Sequence, residues 1–306
     1  MAIWLYFCRA IVSLQRSVMQ LQAFNSLPAN EAETALAHCC GATRWVNLMM
    51  GARPFTAAPA LFARCNEVWY GDCREEDWLE AFAQHPKIGD INSLKEKYAA
   101  TRDWAAGEQS GVQEAPTAIL EQLAAANRAY EGKFGFLFIV CATGKTAEEM
   151  LRLLKDRLEN EREEELWVAM GEQCKITHLR LRKLLADEAL APATVSQVTT
   201  HVLDTSIGQP GRGVSIRLKA RAEGRWLSIA QGVSNDDGRI TGLLPPERTL
   251  SPGHYKMVFD TGKYFDSQKI QGFYPEVEIS FTTFDQGHYH VPLLINPFGY
   301  STYRGS

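Results

Sequence analysis

Two hydrophobic rhythms divide the chain. From residue 25 to about 183, Ala-, Leu- and Glu-rich segments repeat their apolar positions every three to four residues, the period of an amphipathic helix. Ser26-Leu27-Pro28-Ala29-Asn30-Glu31 opens this half with a capping residue, an early proline and a first-turn acid, all helix-start signals. The residue types that follow favour helix at nearly every position, which predicts an all-α domain over 20–188. From 197 onward the period falls to two. Runs at 197–204, 213–220, 226–233, 254–260, 274–284 and 288–295 alternate between turns such as Gly208-Gln209-Pro210-Gly211 and Asn235-Asp236-Asp237-Gly238-Arg239. Short strands at regular spacing predict a β-sandwich over 197–306. Residues 189–196, with alanines, an acid upstream and Pro192, read as a linker.

Two stretches resist the period argument. Lys133-Phe134-Gly135-Phe136-Leu137-Phe138-Ile139-Val140-Cys141-Ala142 is too short an apolar run to distinguish a buried strand from a buried helix. Residues 1–19 form an uncertain extension: apolar, with Arg9 and Arg16 and no acid before Glu31, they read as a weak targeting segment or as sequence upstream of a natural start at Met19.

A 306-residue chain with 45% hydrophobic and 22% charged residues accommodates two ordinary globular domains. A net charge of −4 without a basic run argues against nucleic acid as a partner, and no apolar stretch is long enough to span a membrane. The seven cysteines are odd in number, irregularly spaced and confined to the first 174 residues. They read as reduced thiols, mostly packed in a core, and so as a mark of a reducing compartment. The expected location is the cytoplasm, or the peroxisome in a eukaryotic cell.

Candidate chemistry is thin residue by residue. Asp77-Trp78-Leu79-Glu80-Ala81-Phe82-Ala83-Gln84-His85 reads as a helix with Trp78, Phe82 and His85 on one face, ending at His85 because Pro86 disfavours helix before it. An imidazole there is either a hydrogen-bonded core histidine or a catalytic one. Gly107-Glu108-Gln109-Ser110 alone is an ordinary polar turn, and the arginines of Lys175-Ile176-Thr177-His178-Leu179-Arg180-Leu181-Arg182 alone are a solvated helix face. Their order is what carries meaning. His85-Pro86-Lys87-Ile88-Gly89-Asp90, the Gly-Glu-Gln cluster, the Phe-Gly-Phe run and the Lys-Ile-x-x-Leu-Arg-Leu helix together resemble the 2-oxo-4-hydroxy-4-carboxy-5-ureidoimidazoline (OHCU) decarboxylases, an all-helical, cofactor-free family. The resemblance implies that His85 is the acid/base, with Glu108 and Arg180 as partners. It implies a substrate pocket lined by Pro86, Ala105, Gln109, Phe138, Ile139, Val140, Cys141 and Ala142. Ala105 stands where the family often has serine, and Arg182 is an alternative to Arg180.

In the closing stretch, His288 and His290 share one face of a strand, and the chain ends Tyr303-Arg304-Gly305-Ser306. The segments Thr200-His201-Val202-Leu203-Asp204, Asp237-Gly238-Arg239, His290-Val291-Pro292-Leu293 and Tyr303-Arg304-Gly305-Ser306 resemble the 5-hydroxyisourate hydrolases of the transthyretin-like family. The resemblance implies one pocket between subunits built from His201, Arg239, His290 and Tyr303, with Arg304 and Ser306 in support. It also implies a homo-oligomer, tetrameric through this domain. Two histidines can deprotonate water, and an arginine can hold an oxyanion. A zinc site from His201, His288 and His290 is the competing reading of the same residues, with no acid or cysteine spaced to complete it; no metal or cofactor is expected.

Together the two halves imply hydrolysis of 5-hydroxyisourate to OHCU and decarboxylation of OHCU to (S)-allantoin, downstream of urate oxidation. The alternatives are a transthyretin-like carrier or protein-binding module, or a fusion in which one half has lost activity.

Overall fold

A computed structural model describes residues 19–85, 117–143, 145–185, 196–222, 224–240, 242–245 and 248–305. The described helices of the first half are α1 (Leu21–Ser26), α2 (Ala29–Cys39), α3 (Thr43–Gly51), α4 (Ala58–Glu67), a single π-helical turn (Val68–Asp72), α5 (Glu75–Ala83), α6 (Thr117–Phe134), α7 (Ala147–Arg157) and α8 (Arg162–Leu184). They enclose one core that runs from Leu21 to Leu185 and holds Trp45, Trp69, Phe62 and Phe82. Five of the six described cysteines are buried thiols, and Cys8 lies outside the described residues.

Helix α8 is the axis of the molecule. Six consecutive residues, Ala169 to Cys174, are buried, so its whole circumference is covered rather than one stripe. The cover on one side is the helical core. On the other side it is the second half of the chain.

That half is a sandwich. One sheet has the order β5 (Arg225–Val233), β4 (Ser215–Ala222), β6 (Gly253–Phe259), β7 (Val277–Thr283), all antiparallel. The other has the order β10 (Gly299–Thr302), β9 (Leu293–Asn296), β2 (Val202–Asp204), β3 (Gln209–Pro210), with β2 and β9 parallel. A short parallel pair, β1 (Val198–Thr199) with β8 (Tyr289–His290), continues the β2–β9 ladder past a break at Pro292. The single strand expected over 288–295 is therefore two. A helix within the sandwich, α9 (Thr261–Ser267), was not expected; Asp260 caps it by accepting the Lys263 N–H at 3.0 Å.

Two local expectations need correction. Helix α5 stops at Ala83 rather than His85, and the Gln84 and His85 N–H groups bond to the carbonyls of Ala81 and Phe82 in a tightened last turn. The 133–142 run is neither strand nor helix beyond Phe134. Gly135 takes φ +77° and ends α6, and the largely buried segment after it has no regular secondary structure. Its backbone is satisfied by side chains: Arg157 donates to the Ile139 carbonyl at 2.7 Å, and Glu172 accepts the Cys141 N–H at 2.7 Å.

Gly232 on β5 faces Ile240 and Leu243 in the sandwich core, so its neighbours Gln231 and Val233 face outward, onto the helical domain. There Val233 joins the helical core and Gln231 accepts from Asn160 at 3.0 Å. Glu164 accepts from the Ser228 N–H and hydroxyl, Lys263 pairs with Glu159 at 2.6 Å, and the Arg248 guanidinium lies 4.0 Å from the Tyr70 ring centre. The two halves are thus docked through α8 and the outer face of β5.

Candidate active sites

In the sandwich, local backbone chemistry brings three distant segments together. Asn235 accepts the N–H groups of Asp237 and Arg239 on its side chain, closing the turn that presents Arg239. Gly238 has φ +70°, and a Cβ there would lie 2.2 Å from the Val202 carbonyl oxygen, so only glycine fits. The turn thereby lies against the start of β2, where His201 and Arg239 form a β-bridge. His290 comes from β8, beside β1. The Thr199 hydroxyl lies 2.9 Å from His290 Nδ1 and 2.8 Å from His288 Nε2. One hydroxyl proton cannot serve both nitrogens, so at least one ring donates its N–H to the Thr199 oxygen, and the tautomers of the two rings are linked. The rings lie nearly parallel, 6.3 Å apart. Gly305 closes over His290: a Cβ there would sit 2.2 Å from the imidazole Cδ2, and the Gly305 N–H donates to the His290 carbonyl at 3.0 Å.

Electrostatics follow from this crowding. Burial, reinforced by the Arg239 cation, holds the His201 imidazole below its ordinary pKa. Burial does the same for His290, with Arg239, His288 and His201 adding to the shift. Both rings are therefore neutral near pH 7, as a base that takes a proton from water must be. Tyr303 and Arg304 are exposed on the single chain, beyond the histidine cluster, and Ser306 lies outside the described residues. Among the described residues no three His, Cys, Asp or Glu side chains gather into a metal-binding group.

In the helical domain, His85 follows the end of α5 and its Nε2 lies 2.6 Å from Gln173 Oε1 on α8. An amide oxygen only accepts, so this contact places the imidazole proton on Nε2. Gln173 is fully buried and donates to Thr177 at 3.3 Å, which fixes the amide's orientation. Arg180 lies two turns further along α8, and its Nη1 donates to the carbonyls of Cys39 at 3.3 Å and His38 at 3.4 Å, at the end of α2. The corner after α2 connects the two groups, because Gly41 packs directly against Gln84, where a Cβ would lie 2.4 Å from the Gln84 side chain. At about 100° per residue, Arg180 falls about 20° from Gln173 around α8, whereas Arg182 falls on the opposite side. Arg182 there lies 4.6 Å over the Phe62 ring.

The irregular segment Phe138, Ile139, Val140, Cys141 and Ala142 reaches the same part of α8 through Glu172, the residue before Gln173. Burial alone would raise the Glu172 carboxyl, but Lys175, Lys145 and Arg157 outweigh it and hold the group below the ordinary carboxylate range. Pro86, Ala105, Glu108 and Gln109 lie outside the described residues. Gln173, Glu172, Thr199 and Gly305 were missed in the sequence. Gln173 sits one residue beyond Glu172 and seven before Arg180, a helical spacing that could have been read; Gly305 lies within the closing motif, and nothing local marks Thr199.

Two family models match the chain: OHCU decarboxylase over residues 25–182 and the HIUase/transthyretin family over residues 198–305. The uric acid degradation bifunctional protein TTL of Arabidopsis thaliana is 34% identical over 88% of this chain and 96% of its own length. The 5-hydroxyisourate hydrolase of Salmonella typhi is 41% identical over 41% of this chain and 93% of its own length. The crystal structure of (S)-allantoin synthase matches 94% of this chain and 100% of that one at 25% identity, with a TM-score of 0.43.

Proposed function

We propose, for a chain that belongs to the OHCU decarboxylase family in its first half and to the HIUase/transthyretin family in its second, that it carries out two consecutive steps of urate degradation. The sandwich opens 5-hydroxyisourate to OHCU, and the helical domain decarboxylates OHCU to (S)-allantoin. The observation that carries this reading is the match of nearly the whole chain, both halves in the same order, to a bifunctional uric acid degradation protein.

In the hydrolase step, neutral His201 or His290 takes a proton from water, and the water oxygen attacks the lactam carbonyl. Arg239 stabilises the oxyanion, the carbon–nitrogen bond breaks, and the leaving nitrogen takes up the proton. Tyr303, Arg304 and Ser306 bind the substrate's polar edge. In the decarboxylase step the bond from ring carbon to carboxylate breaks, carbon dioxide leaves, and the electron pair is delocalised into the adjacent ring C=N. The ring nitrogen takes a proton from solvent, the hydroxyl proton passes to His85 as that oxygen becomes the ring carbonyl, and His85 delivers a proton to the neighbouring, ureido-bearing carbon from one face, which sets the product's handedness. Arg180 and Glu108 hold the polar groups, and the wall from Phe138 to Ala142, with Pro86, Ala105 and Gln109, shapes the pocket.

The substrates are small molecules, and the assembly is a homo-oligomer, tetrameric through the sandwich. Strands β7 and β10 are sheet edges, and Phe284, Phe298, Tyr300 and Tyr303 are exposed there or nearby, a surface suited to a second copy. The thiols fit the cytoplasm. Among the described residues no helix is long and apolar enough to cross a membrane.

Purified protein supplied with 5-hydroxyisourate tests the reading. It should accelerate loss of the substrate's ultraviolet absorbance and build up the circular dichroism of a single allantoin enantiomer. Spontaneous rates in both channels would reject it.

A further inference from the structure

One buried hydrogen-bond chain crosses from one domain into the other and ends in the decarboxylase pocket wall. Gln231 stands on the outer face of β5. Its Oε1 accepts from Asn160 Nδ2 at 3.0 Å, and the same Nδ2 donates to Glu165 Oε2 at 2.7 Å. The other oxygen of Glu165 accepts from Arg157 Nε at 2.8 Å, and from Arg157 Nη2 and the Tyr130 hydroxyl. Arg157 Nη1 donates to the Ile139 carbonyl at 2.7 Å, and its guanidinium lies 4.6 Å over the Phe138 ring. Every side chain in the chain is nearly sealed from water: Gln231 is 7% exposed, Asn160 4%, Arg157 1% and Glu165 0%.

A buried network of this kind is stiff only when every member is satisfied. Asn160 has two amide protons, and Glu165 takes one of them. The acceptor for the other is supplied by the sandwich. The sandwich core itself makes no use of Gln231, which faces away from it. The sheet's outer face would normally carry a solvated residue there.

On the reading that the segment around Ile139 lines the decarboxylase pocket, we infer that Gln231 is a positioning residue for decarboxylation: the hydrolase domain supplies the last acceptor of the Asn160–Glu165–Arg157 relay that fixes the Ile139 carbonyl. The decarboxylase then depends on a side chain from the other catalytic domain. Docking of the two halves has a catalytic consequence, apart from any passage of intermediate between them.

The test uses the full-length chain carrying Gln231→Met, which keeps the shape and removes the acceptor, and Gln231→Glu, which keeps an acceptor. Both steps are followed in the same preparation. The relay predicts that Gln231→Met lowers kcat for allantoin formation about three- to tenfold, the scale of one lost hydrogen bond, with hydrolase turnover unchanged. Gln231→Glu should recover most of that loss. In an Asn160→Ala background, Gln231→Met should have no further effect on kcat, because its acceptor acts only through Asn160. If Gln231 merely glues the halves together, Gln231→Met lowers the Tm and leaves allantoin kcat at the wild-type value, which overturns the relay. Independent, multiplying effects of the two substitutions would overturn it as well. Should Gln231→Met fail to fold, Gln231→Leu, which also removes the acceptor, carries the same comparison. A wild-type chain that makes no enantiomeric excess removes the proposed decarboxylase itself, and that outcome is distinct from loss of the relay alone.

Discussion

At the scale of single residues, the sandwich site depends on groups that contribute geometry rather than reactivity. Thr199 touches two imidazoles through one hydroxyl. Thr199→Val keeps the shape and removes the link, and should lower hydrolase kcat about fivefold, the scale of one net hydrogen bond, with unchanged allantoin handedness. Gly305→Ala should cost more, because the new methyl would collide with the His290 ring; ultraviolet assays of ring opening should show a loss of tenfold or more by the order of magnitude for a misplaced catalytic group. The pH profile follows from the depressed imidazoles. A lowered pKa means that protonation occurs at lower pH, so kcat/KM for ring opening should hold as pH falls through the ordinary imidazole value of 6.5 and decline only below it. Removing the cation in Arg239→Gln takes away a lowering influence on both rings, so the residual activity should show its acid limb shifted upward, toward 6.5. The proposed catalytic residues His201, Arg239 and His290 were visible in the sequence through their flanking motifs. The positioning residues were not, because a threonine hydroxyl or a missing Cβ acquires its meaning only from what the fold sets against it.

At the scale of elements, α8 decides how the helical site is arranged. It carries Gln173 and Arg180 on one side and Arg182 on the other, so the choice between the two arginines becomes a matter of helical phase. Arg180→Gln should abolish most enantioselective allantoin formation, with a loss of about a hundredfold or more if the guanidinium holds the reacting carboxylate or oxyanion. Arg182→Gln should leave the rate near wild type and lower the Tm modestly through the lost contact with Phe62. The reverse ranking would exchange their roles. An element with a strong repeat, such as β4, was legible from period alone. The 136–142 segment was not: its apolar residues fit either regular element, and its backbone is bonded by the side chains of Arg157 and Glu172, distant in sequence. The break in the last strand was legible in principle, since Pro292 removes a ladder donor there.

At the scale of the whole molecule, the change of period near residue 197 marked two folds but said nothing of how they meet. Surface positions on a strand look alike whether water or a helix covers them, so Gln231 and Ser228 read as ordinary polar outward residues until α8 lies across them. The docked arrangement keeps two candidate sites in one chain, each with its own candidate histidines. That each chemical step uses its own histidines is the central claim, and the most direct measurement is a paired time course, ultraviolet absorbance of 5-hydroxyisourate together with circular dichroism of the product, on His85→Ala and His290→Ala. His85→Ala should open the ring at the wild-type rate and yield allantoin without enantiomeric excess, whereas His290→Ala should let 5-hydroxyisourate accumulate. Wild-type enantioselectivity in His85→Ala, or normal ring opening in His290→Ala, would contradict the account.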